Sequence, residues 1–168
     1  MTNHLLKGGV CAAVVAAGFF MQPAHAAMNC WNAQHVAAAK IRDLQSRLMV
    51  ATMRCNAMGI NVLPAYNEFV RTNRGTIQDA NGVIKAQFAK GFGARGQTEY
   101  DRFTTVLANA YGAEPTNAAV CGETAARAHD AVAARGDVQR LLDIADAMGS
   151  EPSLPGGRCK VTFASVNE

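Results

Sequence analysis

Two carboxylates, Glu68 and Asp101, stand in matching surroundings, Tyr66-Asn67-Glu68-Phe69-Val70 and Tyr100-Asp101-Arg102-Phe103-Thr104, offset by 34 residues. Attack on a glycosidic bond needs two carboxyl groups about 5 to 10 Å apart, one as acid and one as nucleophile or base. Glu68 and Asp101 are therefore the candidate pair for hydrolysis of an envelope glycan. The same stretches space Tyr66 with Phe69, and Tyr100 with Phe103, three residues apart. Such aromatic pairs on a helix ordinarily enter the core. Arranged around a cavity, the four rings would instead line a small-ligand pocket. The offset equals the tetratricopeptide period, but no third copy appears near Ala134, and stacked repeats need about three.

Gly91-Phe92-Gly93-Ala94-Arg95-Gly96 matches the G-x-G-x-x-G pattern that cradles a pyrophosphate. That chemistry requires a strand before the loop and a βαβ unit around it. Neither is evident, so the segment reads as an inter-helix loop in which Arg95 could hold a small anion. Outside the amino-terminal segment the only histidines are His35 and His129, and neither has partners at metal-ligand spacing. His129-Asp130 reads as a solvent-facing pair. Cys-x-x-Cys and Cys-x-x-Cys-His are absent, as is the G-x-S-x-G nucleophile turn. No catalytic set, metal site or cofactor is expected from the motifs alone.

The cysteines point to a compartment. Residues 1–26 combine Lys7, an apolar stretch from Gly8 to Met21, the breaker Pro23 and the small-x-small triplet Ala24-His25-Ala26, the pattern of a cleaved export signal. Cleavage is expected before Ala27. Cys11 lies inside the apolar stretch, where no signal has room to precede a lipidated cysteine. The apolar stretch falls short of the roughly 20 residues a spanning helix needs, and no later segment approaches that length. Cys30, Cys55, Cys121 and Cys159 remain, an even set in an oxidising periplasmic or secreted setting, and two disulfides are expected. If they form, no thiol is left to act as a nucleophile.

The elements that position these residues read as helices. Ala37, Ile41, Leu44, Leu48, Ala51, Cys55 and Met58 follow one another at spacings of 4, 3, 4, 3, 4 and 3, one helical seam over 32–58. Asn32 can cap it and Gly59 can stop it, while Lys40, Arg42, Asp43, Gln45 and Arg47 fall off the seam. Pro64 starts a short helix, with Tyr66, Phe69, Val70 and Asn73 on one face, that ends at Gly75. A helix over 76–90 carries Ile77, Ile84 and Phe88, and Asn81-Gly82 in its middle could split it. Thr98 and Asp101 resemble a capping box before Tyr100, Phe103, Leu107 and Ala110. Asn117 caps a helix with Cys121, Ala125, Ala128 and Val132 inward, and Asp137 caps a last one with Leu141, Ile144, Ala145 and Met148 inward. The prediction is an all-α bundle of five or six helices over 27–149, with an extended tail over 150–168.

If the first helix is continuous, Cys30 and Cys55 lie at its opposite ends, about 1.5 Å apart per intervening residue. A disulfide needs Cα atoms within roughly 7 Å, so that pairing is excluded and two connectivities remain. The preferred one joins Cys55 to Cys121 and Cys30 to Cys159, which tethers the tail. Trp31 would then cover a disulfide or plug one end of the bundle.

The formal charge of +3 is small, and the signs alternate along the chain. This gives no reason to expect nucleic acid or an anionic membrane surface as a partner. Arg71, Arg74, Lys85, Lys90, Arg95 and Arg102 make the middle of the chain locally basic, ordinarily a solvated face but able to meet an acidic partner or envelope polymer. Cys30-Trp31-Asn32, Arg42-Asp43-Leu44-Gln45, Met53-Arg54-Cys55, Tyr66-Asn67, Tyr100-Asp101-Arg102-Phe103, Cys121 and Cys159 together resemble short exported helical proteins of Gram-negative bacteria. That resemblance implies export and a helical fold; the group has no established activity, so no functional residue is carried over. The expectation is a non-catalytic binding or structural module for a protein or envelope component. The alternatives are a hydrolase using Glu68 and Asp101 or a carrier. Contact residues would be Tyr66, Phe69, Arg95, Tyr100 and Phe103, and the long seam could serve a homodimer as well as a core.

Overall fold

The computed structural model describes residues 30–160; the expected signal segment and residues 161–168 of the expected tail lie outside them. Six α-helices follow in order: α1 (Ala33–Ala57), α2 (Leu63–Thr72), α3 (Arg74–Phe92), α4 (Gly96–Gly112), α5 (Ala118–Ala134) and α6 (Val138–Ala147), with a 3₁₀ turn at Gly93–Arg95 between α3 and α4. Among the described residues there is no strand, only a single parallel bridge between Trp31 and Arg158. The fold is an all-α bundle stapled by two disulfides.

α1 is the axle, packed against each of the other five helices. Its seam supplies Ile41, Leu44, Leu48 and Cys55 to the interior, all buried. Because neighbours surround it, the polar residues off the seam are not left to water. Asp43 is fully buried, and Lys40, Arg42, Gln45 and Arg47 are partly so. Conversely Met58, the last residue of the seam, is exposed beyond the helix end.

Capping follows the sequence at three helix starts. The Asn32, Asn117 and Asp137 side chains accept from the backbone N–H groups of His35, Val120 and Arg140, each bond contributing about 1 kcal/mol. Three boundaries differ from expectation. Asn73, not Gly75, separates α2 from α3, and Gly75 falls in the first turn of α3. α3 runs unbroken through Asn81-Gly82, because Ile77, Ala80, Ile84 and Phe88 bury one continuous face. This packing offsets the roughly 1 kcal/mol that a mid-helix glycine costs. α4 starts at Gly96, so Thr98 lies within its first turn and makes no cap.

The glycine motif acquires a structural reason. Gly93 turns the chain in the left-handed region (φ 55°). At Gly96 a Cβ would stand 2.7 Å from the Ala89 Cα and 2.9 Å from its nitrogen. The segment is a tight corner that seats the start of α4 on the end of α3. Gly96→Ala is expected to destabilise the protein by about 1–3 kcal/mol, the usual cost of overpacking, read as a lower urea midpoint with an unchanged slope.

Aromatic rings fill the end of the core near this corner. Phe88 lies 5.4 Å from Phe103, 5.7 Å from Trp31, 5.8 Å from Phe92 and 6.2 Å from Tyr100, centroid to centroid. The disulfides Cys30–Cys159 (Cα–Cα 4.7 Å) and Cys55–Cys121 (5.6 Å) close the two long loops, each adding about 2–4 kcal/mol.

Candidate functional site

The most site-like feature lies where the tail crosses back over the start of α1. Ser150 to Lys160 form no regular element; their last residues run as a strap beside Trp31. The Trp31 N–H donates to the Gly157 carbonyl (2.9 Å), the Cys159 N–H donates to the Trp31 carbonyl (2.9 Å), and the indole N–H donates to the Pro155 carbonyl (2.7 Å). Trp31 is 1 % exposed. It therefore plugs one end of the bundle, next to the Cys30–Cys159 bond.

Beside this strap, α1 and α6 border a cleft of about 510 Å³. Val36 and Ala37 line it from α1 and Leu142 from α6; an edge of Trp31 lies at its end, and Arg158, Cys159 and Lys160 form the strap-side wall. Lys40 and Asp146 bring charge to the rim. The Lys40 ammonium donates to Asp146 and lies 3.4 Å from Glu151. The Asp146 hydrogen bond, reinforced by the charges of both carboxylates, outweighs the partial desolvation and holds the Lys40 pKa above its usual value. An apolar floor with a few charged groups at the edge, in a volume of several hundred Å³, is the usual constitution of a ligand site.

A second polar cluster sits just past the carboxyl-terminal end of α6. The Tyr111 hydroxyl donates to the buried Asp43 carboxylate (2.7 Å), and the Ser150 hydroxyl donates to the same oxygen. Arg47, one turn along α1, lies 5.0 Å from the Tyr111 ring centroid, pairs with Glu114 at 3.1 Å and donates to the Met148 carbonyl. This network fastens the ends of α4 and α6 to the axle. Burial first, then the hydrogen bond to Asp43, pushes the Tyr111 pKa well above the phenol range; burial also raises Tyr66 and Tyr100.

Since these phenols ionise near pH 10 once unfolded, their stabilisation is complete below that pH and is lost as pH rises through the folded values. Lys40 acts in the same direction in the same window. The urea midpoint is expected to fall steadily above pH 10, and Tyr111→Phe to flatten that fall in part. A midpoint independent of pH between 9 and 11.5 would contradict this.

The residues singled out in the sequence do not converge. Glu68 is held on its own helix by Arg71 (2.5 Å) and Thr72 (3.3 Å); the Arg71 bond keeps its pKa below the usual carboxylate range. Asp101 accepts from Gln97 one turn before it on α4. Phe69 and Phe103 are core residues, and Arg95 is exposed on the 3₁₀ turn. Tyr66 lines a hollow of about 440 Å³ between α2 and α3, and Tyr100 one of about 310 Å³ between α3 and α4. Arg42 of α1 acts on both hydroxyls. Its Nη1 donates to Gln45 (2.6 Å), and the Tyr100 hydroxyl donates to Asn81 (3.2 Å). His129 and Asp130 are both exposed, and His35 stands edge-on to Trp31 at 6.1 Å.

The cleft residues Val36 and Leu142 were not among the residues expected from the sequence. Their signal was present: each is an apolar residue beside a helical seam rather than on it, which widens the apolar stripe of its helix. Among the described residues no group of three or more His, Cys, Asp or Glu is gathered to hold a metal. No protein-family model, curated protein or solved structure matches this chain.

Proposed function

We propose that this chain is an exported, non-catalytic binding module that takes an amphipathic component of the cell envelope into the α1–α6 cleft. The observation that carries the reading is the cleft itself, with Val36, Ala37 and Leu142 as floor and Lys40, Asp146, Arg158 and Lys160 at the rim. An apolar body would lie on the floor and a polar end would meet the rim. Export is supported by the signal pattern of residues 1–26 and by two disulfides joining distant parts of the chain, bonds that persist in oxidising compartments. Among the described residues no helix is long and apolar enough to cross a membrane. Against the glycan-hydrolase alternative, Glu68 and Asp101 are each engaged by neighbours on their own helices.

Trp31, the sole tryptophan, reports on cleft occupancy. Titration of the oxidised protein with decanoate and with decyl maltoside below their micelle concentrations is expected to give a saturable change in Trp31 emission. Leu142→Asp, a charge in the apolar floor, should weaken it about tenfold or more. A response that does not saturate, or one that Leu142→Asp leaves unchanged, overturns the cleft. A glycan-cleaving activity abolished by Glu68→Ala or Asp101→Ala in folded protein overturns the non-catalytic assignment.

A further inference from the structure

We propose that the Cys30–Cys159 disulfide is a redox-modification site, reduced by a dithiol of the Cys-x-x-Cys oxidoreductase class, and that its reduction opens the α1–α6 cleft. The inference rests on the reading of that cleft as the binding site and names its regulation.

The two disulfides differ in what surrounds them. Cys55 and Cys121 are both fully buried, packed with Val62 and flanked by Ile60 and Ala125. Cys30 is exposed and Cys159 half-buried. Exchange requires a thiolate to reach a sulfur of the bond, so one bond is open to attack in the folded protein and the other is shielded until the bundle opens.

The accessible bond is also the one that shapes the cleft. Arg158, Cys159 and Lys160 form its strap-side wall, and Trp31, adjacent to Cys30 in the chain, lies at its end. Without the covalent link, the strap would be held to Trp31 by three hydrogen bonds, from the Trp31 N–H, the Cys159 N–H and the indole N–H, and to its own earlier part by the Arg158–Glu151 pair at 2.6 Å. Glu151 is in turn drawn to Lys40 on the opposite rim. The tail is also anchored upstream, where Pro152 is buried and Leu154 packs against the core; past Leu154 the contacts are few and lie at one edge, whereas α1 to α6 are held by the continuous core. Release of the strap therefore leaves the bundle standing and removes one wall of the cleft.

The chemistry balances as a two-electron exchange. A thiolate of the reductant attacks the Cys30 Sγ, the S–S bond breaks, and Cys159 leaves as a thiolate that takes up a proton. The reductant's second thiol, having lost its proton, attacks the mixed disulfide and releases Cys30, which is protonated in turn. The reductant ends as a disulfide and the protein gains two thiols.

The test uses the oxidised, full mature chain, graded dithiothreitol as the dithiol, iodoacetamide trapping, and peptide mass mapping. Far-ultraviolet dichroism and acrylamide quenching of Trp31 are read on the same samples without any cleft ligand. The expected result is alkylation of Cys30 and Cys159 first, with helical dichroism intact, Trp31 quenching raised, and decanoate affinity reduced about tenfold. Cys30→Ser with Cys159→Ser should reproduce that state without reductant. Alkylation of all four cysteines together, or unchanged Trp31 quenching after selective reduction, overturns the proposal. If the double variant does not fold, the selectively reduced natural chain decides the matter. A failure of decanoate to bind the oxidised protein overturns the cleft reading instead, since the alkylation order and Trp31 quenching do not depend on it.

Discussion

Trp31→Ala is expected to lower the free energy of unfolding by about 3–5 kcal/mol, the range for removing a large aromatic from a packed core. The indole is 1 % exposed and stands 5.7 Å from Phe88 and 6.1 Å from Phe103, ring centre to ring centre. Alanine would leave a cavity between these rings and strip the Pro155 carbonyl of its donor. Trp31→Phe keeps most of the packing and loses the hydrogen bond, so it should cost markedly less, about 1–2 kcal/mol. Urea unfolding followed by dichroism measures both. A loss below about 1 kcal/mol for Trp31→Ala would mean that the plug is not packed as described.

Asn73→Ala is the second large effect, expected at about 2–4 kcal/mol from unsatisfied buried groups. This side chain is 1 % exposed. Its amide donates to the Phe69 carbonyl (2.9 Å) and the Ala131 carbonyl (2.8 Å), and its oxygen accepts from the Gly136 N–H (2.6 Å). One side chain thus ties the α2–α3 junction to the end of α5 and the turn into α6. The neighbouring Thr76 hydroxyl donates to the Gly136 carbonyl (2.8 Å) and reinforces the same latch. Asn73→Asp separates the donor role from the acceptor role. It retains the acceptor for Gly136 but sets a carboxylate oxygen against two carbonyls, so it should cost at least as much as alanine. A neutral Asn73→Asp would show that the amide donors contribute nothing.

These two residues also mark where the sequence was and was not legible. α1 could be read because its apolar positions recur at helical spacing for seven turns. A continuous α1 keeps Cys30 and Cys55 apart, which excluded one pairing and left two; the preferred one is the one found. Asn32, Asn117 and Asp137 announced helix starts, since a cap is a local bond between residues three apart. Asn73 escaped because its partners, Ala131 and Gly136, are distant in the chain, and its spacing with Phe69 made it look like one more residue on an apolar face. Asp43 escaped for a similar reason. Its burial follows from α1 being surrounded, which no window of α1 itself reveals, and its partners come from Tyr111 and Ser150.

The candidate site divides along the same line. Local patterns drew attention to Glu68, Asp101, Tyr66 and Tyr100, each resembling something useful within its own helix. The cleft instead combines the first turns of α1 with α6 and a strap that crosses back from the carboxyl-terminal end. Its residues are ordinary one by one, and the tethering of Cys159 to Cys30 is what brings the wall into place. The G-x-G-x-x-G segment is the converse case, a functional-looking pattern whose glycines serve a corner between two helices.

The most direct test of the binding role is native mass spectrometry of the protein purified from its own exported fraction, compared with denatured samples and with Leu142→Asp. The expected result is a chain beginning at Ala27 with both disulfides intact, carrying extra mass that is lost on denaturation and is missing from Leu142→Asp. A bare chain in the natural protein, or the same extra mass on Leu142→Asp, would contradict it.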